Sequence, residues 1–196
     1  MRIILASKSP RRRELLGKMG LEFSVQAADI DETMNPSLPP EQEVARVSRA
    51  KAAAIPADMD TVVIAADTIV VCQGKILGKP HSQEEARQML RQLAGKTHQV
   101  MTGCAVRCGD TLLHHTEITD VAFRPLADAE IEAYVNTGEP MDKAGAYGIQ
   151  GLGGLFVSRL AGDYYNVMGL PICALTQMLR QIGVEILGVS HKEEKQ

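Results

Sequence analysis

Strands and helices alternate along this chain, which predicts an α/β fold. Three stretches carry that expectation. Ile3-Ile4-Leu5 is a continuous apolar run, as in a strand covered on both faces, and a polar turn and a helix follow it directly. Thr61-Val62-Val63-Ile64-Ala65-Ala66 is a second buried run, ending at Asp67-Thr68. Ser82 with Glu85 three residues later forms a capping box, and Gly95 closes the helix that it opens.

The first helix is justified residue by residue. Ser9 is a good N-cap, and Pro10 at the first helical position loses no hydrogen bond there. Glu14, Leu15 and Leu16 continue the helix, and Gly20 can end it in a left-handed conformation. Ser7, Lys8, Ser9, Arg11, Arg12 and Arg13 crowd its start. Cations oppose the dipole at a helix N-terminus, so three arginines there point either to a polyphosphate cradle or to a solvated basic turn paired with acids elsewhere.

Glu22 to Ala28 is expected as a second strand, followed by the acidic turn Asp29-Ile30-Asp31-Glu32 and a Pro-rich loop to Pro40. A helix opens at Pro40-Glu41, with Val44, Val47, Ala50 and Ala54 on one stripe and Lys51 near that apolar face. After the strand ending at Asp67-Thr68, Ile69 to Cys72 continues extended and turns at Gln73-Gly74. Thr97 to Arg107 and Leu112 to Phe123 are long extended segments around a hairpin turn at Cys108-Gly109-Asp110. Asp128 to Val135 is a helix ending near Gly138, and 142–151 is a loop. Leu155 to Leu160 is a strand and Pro171 to Ile182 an amphipathic helix. Residues 1–190 are expected as a single domain, with room for a cleft between two lobes; 191–196 is a charged tail expected to be disordered.

Composition narrows the function classes. Apolar residues make up 45% and charged residues 23%, ordinary for a globular protein, and the net charge of −3 provides no global field for nucleic acid. With no Trp and three Phe, aromatic content also disfavours a base-stacking platform for single strands. Cys72, Cys104, Cys108 and Cys173 form no CxxC pair, so reduced thiols in a cytoplasmic protein are expected. No apolar run reaches membrane-spanning length, and the N-terminal run is too short for a signal peptide. Gly95-Lys96-Thr97 looks like the end of a P-loop, but Leu90 stands where that motif needs Gly. The histidines show no metal-ligand spacing.

What remains is a chemistry of carboxylates and lysines. Asp67 at the end of a buried strand is costly unless used or paired, although an Asp capping the following turn is the plainer alternative. Glu32 lies in an acidic loop that solvation alone could explain. Lys51 and Lys79 are compact charges suited to phosphate. Acids together with phosphate-binding bases imply a hard divalent cation, magnesium or manganese.

Ser7-Lys8-Ser9-Pro10-Arg11-Arg12, Asp31-Glu32, Lys51-Ala52, Ala66-Asp67-Thr68, Gly78-Lys79-Pro80 and the stretch from Asp142 to Gly151 together resemble the Maf family. These are nucleoside triphosphate pyrophosphatases, also described as septum-formation inhibitors. The resemblance runs from Ile3 to about Ile182, with the motifs in the family's order. It implies an elongated mixed twisted sheet flanked by helices, two lobes with a central cleft, a likeness to inosine triphosphate pyrophosphatases, and members that are often homodimers.

The resemblance also implies roles. Asp67 matches the catalytic proton acceptor, and Glu32, Lys51 and Lys79 match further catalytic positions, with Glu32 and Asp67 also at the metal. Ser7, Ser9, Arg12, Asp142 and Lys143 fall among the substrate-binding positions; Arg11, Thr68 and Gln150 match those assigned to base selection. Arg-Arg after the Pro, Asp67-Thr68 and Tyr147-Gly148-Ile149-Gln150-Gly151 are similar to the branch acting on dTTP and UTP rather than on 7-methyl-GTP. A nucleotide-binding regulator of division that does not turn over is the alternative from another class; it could dispense with a catalytic acid.

Overall fold

The computed structural model describes residues 1–35 and 37–189; the expected tail at 191–196 lies outside the described residues. The elements run β1 (Arg2–Leu5), α1 (Pro10–Lys18), β2 (Ser24–Val25), α2 (Pro40–Ala54), β3 (Thr61–Cys72), β4 (Lys75–Leu77) and α3 (Gln83–Leu93). They continue with β5 (Thr97–Cys108), β6 (Thr111–Phe123), α4 (Asp128–Asn136), β7 (Val157–Ala161), α5 (Tyr164–Met168) and α6 (Ile172–Gln181). The strands form a 7-stranded sheet in the order β2-β1-β3-β5-β6-β7, with β4 paired to β3. It is mixed: β1 runs parallel to β2 and β3, whereas β4 is antiparallel to β3 and β7 to β6.

Most expected elements are present, and four differ. The strand expected over Glu22 to Ala28 shrinks to Ser24–Val25, which pairs only with Ile4 and Leu5 at an exposed edge. β3 does not end at Asp67-Thr68; the stretch expected to continue extended to Cys72 belongs to it, as one 12-residue strand. The reading of Asp67 as the cap of a turn therefore fails, because no turn follows it. The loop over 142–151 is partly ordered into short 3₁₀ turns, at Glu139–Asp142 and Ala144–Ala146, with another at Leu152–Phe156. The short helix α5 has no counterpart in the sequence reading; Asp163 caps it locally by accepting from the Tyr165 amide at 2.7 Å.

The described residues divide into two compact units. The first contains Met1–Asp67, Thr102–Glu117 and the described chain from Gly169; the second contains Thr68–Met101 and Ile118–Met168. In the first, a cluster of small side chains lies under α2: Ala6, Ala52, Ile55, Val63, Ala65 and Ala105. In the second, Leu90, Leu93, Val121, Ile131 and Val135 are buried with a chain of aromatic edge contacts. Phe123 meets Tyr147 at 4.7 Å and Phe156 at 5.9 Å between ring centroids, and Tyr134 meets Phe156 at 5.0 Å.

His98 belongs to that second core. It is 2% exposed, its Nε2 lies 2.8 Å from the Tyr147 hydroxyl, and its ring packs edge-on against Phe123. Burial pulls its pKa down from the ordinary 6.5 to about 4. The unfolded chain therefore binds the extra proton between those two values, and folding is opposed as pH falls through them. Stability from this residue is complete above the unfolded value and lost toward the folded one. We expect the urea-unfolding free energy to drop between pH 7 and pH 4.5 by on the order of 2 kcal/mol more in the wild type than in His98→Gln. Parallel pH slopes for the two proteins would show that His98 is not the titrating group.

Candidate active site

The first unit assembles most of the expected residues, beginning with how closely α2 can approach the sheet. Gly103 on β5 has no side chain where one would collide: an added Cβ would stand 2.4 Å from the Val44 carbonyl oxygen and 2.9 Å from Ser48 Oγ. With Ala52, Ala65 and Ala105 also at this contact, the helix backbone lies near the strands. Lys51, next to Ala52, is carried into the interior and is 7% exposed.

A buried ammonium must be paired. Lys51 Nζ donates to Asp67 Oδ1 at 2.8 Å and to Glu32 Oε2 at 2.7 Å. The Asp67 side chain is 15% exposed and that of Glu32 54%, so the group runs from the interior to the surface. Two carboxylates thus converge on one cation, from residues 16 and 19 positions away in sequence. Asp67 stands within β3 rather than at its end.

Beside it lies the turn between β1 and α1. The register Leu5 to Ile64, extended by the Ala6 amide donating to the Ile64 carbonyl at 2.8 Å, holds the turn alongside the approach to Asp67. Arg12 fastens it. Its Nε donates to the Gly169 carbonyl at 2.7 Å, and its Nη1 donates to the Ala66 carbonyl at 2.7 Å and to Ser7 Oγ at 3.4 Å. Burial lowers its pKa, with Asp67 the leading opposing influence, and a guanidinium remains charged under such a shift. Ser7 Oγ accepts from the Ser9 amide at 3.2 Å, and Ser9 Oγ accepts from the Arg12 amide at 3.4 Å as the expected N-cap. The Arg13 amide donates to the Ser9 carbonyl at 3.2 Å. The start of α1 thus already directs two amides at Ser9, so an anion here would be held chiefly by side chains. Arg11 is half-buried on the same first turn.

The loop carrying Glu32 is held by a pair that the sequence reading missed. Glu43 is 1% exposed and takes a forked ion pair from Arg46, at 2.9 Å and 2.6 Å. The same carboxylate accepts from the Asn35 amide at 3.0 Å, while Arg46 donates to the Thr33 carbonyl at 3.0 Å. Glu43 and Arg46 are three apart on α2, a spacing that signals a surface pair but not that the acid is buried. The Arg46 hydrogen bonds outweigh burial and hold the Glu43 carboxyl below its usual range.

The second unit holds the rest: Thr68, Lys79, Asp142, Lys143 and Gln150. Thr68 is half-buried on β3, and Lys79 and Gln150 are exposed. The Gly145 amide donates to the Gly78 carbonyl at 3.0 Å, which joins the late loop to the residue before Lys79. Gly145 has φ +69, and a Cβ there would meet Val70 at 2.9 Å, so only glycine suits this approach. Lys143 is turned inward: Nζ donates to the Glu139 carbonyl and to Asp142 Oδ1, each at 2.6 Å. Its ammonium is thus engaged within its own loop. Glu139 is a further residue the sequence reading passed over. Its carboxylate accepts from the amides of Leu152 and Gly153 and from the Tyr134 hydroxyl. Burial works to raise its pKa, but these donors outweigh it and the carboxyl lies below its usual range.

Among the described residues, no group of three His, Cys, Asp or Glu side chains could by itself hold a metal ion. The Glu32 and Asp67 pair nonetheless offers hard oxygen donors in the number that suits a magnesium-like ion sharing its shell with phosphate and water. The cysteines form no disulfides; Cys104 is fully buried and its thiol pKa is pushed up by burial to about 12. No helix of the described residues is long and apolar enough to cross a membrane.

The family profile described as Maf-like protein matches residues 2–182. The chain belongs to the Maf family. Its relatives include a dTTP/UTP pyrophosphatase of Anaeromyxobacter dehalogenans, 52% identical over 186 residues, 93% of this chain and 94% of that protein. A dTTP/UTP pyrophosphatase of Moorella thermoacetica is 49% identical over 192 residues, 95% of this chain and 98% of that protein. Among solved structures, the Staphylococcus aureus Ham1 protein aligns with 65% of this chain and 73% of its own, at 16% identity and a TM-score of 0.42.

In this Maf protein the loop that carries Glu32 depends on Arg46. Arg46→Met should leave the buried Glu43 carboxylate with the Asn35 amide alone, lowering stability by about 1–3 kcal/mol. Hydrogen exchange at Thr33 and Asn35 should accelerate more than exchange in β3. Unchanged protection at those amides would mean that the loop is held by something else.

Proposed function

We propose that this protein hydrolyses dTTP and UTP, and related modified pyrimidine nucleotides, to the monophosphate and pyrophosphate. The observation that carries the proposal is the convergence of Glu32 and Asp67 on Lys51, next to the Ser7–Arg12 turn. Relatives 52% and 49% identical over nearly the whole chain, named dTTP/UTP pyrophosphatases, support it.

In this reading, Asp67 accepts a proton from a water that attacks the α-phosphorus. The bond from that phosphorus to the bridging oxygen breaks, and pyrophosphate leaves with the electron pair. Lys51 and Lys79 offset the charge that builds on the phosphate oxygens, the main demand in phosphoryl chemistry. Ser7 and Ser9 supply hydroxyls at the phosphates, and Asp142 and Lys143 shape the substrate loop. Arg12 contributes by bracing: it ties the turn to the Ala66 carbonyl, one residue before the acid. Magnesium or manganese would be held by Glu32 and Asp67 and would supply further neutralisation of the triphosphate.

Base choice falls to Arg11, Thr68 and Gln150. Uracil and thymine present an N3–H donor flanked by carbonyl acceptors, and a side-chain amide answers both with one oxygen and one NH2. Cytosine reverses the pattern at N3 and position 4, leaving unpaired groups against a fixed amide. The same reading makes 1–190 a single catalytic domain in the cytoplasm, acting on a small-molecule nucleotide with no nucleic-acid or membrane partner, and associating as a homodimer.

Incubation with dTTP should yield dTMP and pyrophosphate; dTDP and orthophosphate would refute the proposed bond choice. Asp67→Asn retains an oxygen that can accept from Lys51 but loses its charge and basicity. Turnover should fall by about 10²–10⁴-fold while the fold is kept. Near-normal turnover in Asp67→Asn would overturn Asp67 as the proton acceptor, and a wild type that binds dTTP without turnover would instead favour a nucleotide-binding regulator of division.

A further inference from the structure

Residues 148–154 wrap around one carboxylate. Glu139 Oε2 accepts from the Leu152 amide at 3.0 Å, and Oε1 accepts from the Gly153 amide at 3.2 Å and the Tyr134 hydroxyl at 2.9 Å. That hydroxyl in turn accepts from the Gly148 amide at 3.2 Å. The glycines stand where this wrapping leaves no room. A Cβ on Gly151 would lie 2.4 Å from Glu139 Oε2, one on Gly153 would lie 2.7 Å from the Tyr134 hydroxyl, and one on Gly148 would lie 2.6 Å from Lys143 Cε. Between them the Gly151 amide donates to the Gly148 carbonyl at 3.2 Å, closing a turn with Ile149 and Gln150 at its two corners. The exposed Gln150 side chain therefore springs from a backbone whose two flanking glycines are pressed against the Glu139 side chain, the Tyr134 hydroxyl and Lys143.

We infer that Glu139 is a positioning residue for base selectivity, holding the Gln150 turn in one conformation through its carboxylate. The inference rests on the reading of Gln150 as a base-selecting residue. A freely turning amide distinguishes no base, since it can offer either its oxygen or its NH2 to any partner. A backbone fixed on both sides lets packing settle that choice. Glu139 need not touch the nucleotide for this; it acts on Gly148, Gly151, Leu152 and Gly153, and through them on Gln150. Tyr134 extends the same device, donating to Glu139 and accepting from Gly148.

The test is steady-state kinetics on dTTP, UTP and CTP for the wild type, Glu139→Gln, Gln150→Ala and the double variant, with melting temperatures. Glu139→Gln keeps the shape but offers one oxygen and one NH2 where two oxygens accept, so a backbone amide then faces a donor. We expect it to narrow the dTTP-over-CTP ratio of kcat/KM by about tenfold, mostly through KM for dTTP, with kcat on dTTP kept within about threefold. The double variant should be no less selective than Gln150→Ala alone, because both changes disable one device. If Gln150→Ala narrows the ratio and Glu139→Gln leaves it unchanged, the positioning role is overturned. A proportional loss on all three substrates with a lowered melting temperature overturns it too, as the mark of a merely structural carboxylate. If Gln150→Ala itself leaves the ratio unchanged, the base-selection reading falls and the inference with it. Should Glu139→Gln fail to fold, Tyr134→Phe removes only the hydroxyl; a narrowed ratio supports the role, and an unchanged ratio overturns it.

Discussion

An ammonium group cannot be buried alone, and much of the first unit follows from pairing the one on Lys51. The charge lies under α2, where an unpaired cation would cost several kcal/mol. Three separate features meet the requirement. α2 must lie close to the strands, which the missing side chain of Gly103 and the small residues Ala52, Ala65 and Ala105 permit. An acid must stand on β3 within reach, and Asp67 does. A second acid must come from outside the sheet, and the loop of Glu32 is held there by Glu43 and Arg46 on the helix that also carries Lys51. A single helix thus supplies both the cation and the anchor for one of its partners.

The second unit handles a carboxylate the other way. Glu139 takes backbone amides and a tyrosine hydroxyl as donors, and its ammonium neighbour Lys143 bonds to its carbonyl instead. Amides are fixed in direction by the chain, so satisfying them fixes the path of the loop as well. Glycine is required where that path presses on the acid, at Gly151 above all. In the first unit the paired charges form the candidate site; in the second the acid shapes the segment that displays Gln150.

The sequence made the helices legible because their caps are local. Ser9 and Ser82 accept from Arg12 and Glu85 amides as their spacing predicts, and Pro40 opens α2. The charged pair Asp31-Glu32 and the isolated Asp67 stood out by residue type, but their partnership did not, because 19 and 16 positions separate them from Lys51. For the same reason Asp67-Thr68 reads as a strand end inside one extended stretch: an ionisable residue in a buried run reads as an end when its counter-charge is out of sight. Glu43 and His98 were passed over because nothing local distinguishes a buried polar side chain from an exposed one. Glu139 follows Gly138 and precedes Pro140, which reads as a turn, and its amide donors lie more than ten residues further on. The resemblance of the motifs supplied the grouping of residues that periodicity and capping could not.

The placement of the two kinds of residue also follows from what each must do. The proposed proton acceptor needs a fixed position, and a twelve-residue strand braced at the Ala66 carbonyl by Arg12 provides one. The proposed base-reading residue needs a particular orientation on a segment that can differ in shape, and a turn between glycines provides that. Within the first unit, Arg12 serves the first of these demands. It accepts nothing and cannot lose its charge at ordinary pH, so its planar donors serve as a strut between the carbonyls of Ala66 and Gly169 and the hydroxyl of Ser7. A lysine there could not direct donors to such divergent acceptors from one fixed plane. The arginine that looked from sequence like one more phosphate-binding charge is thus also the residue that sets where Ser7 and Asp67 stand.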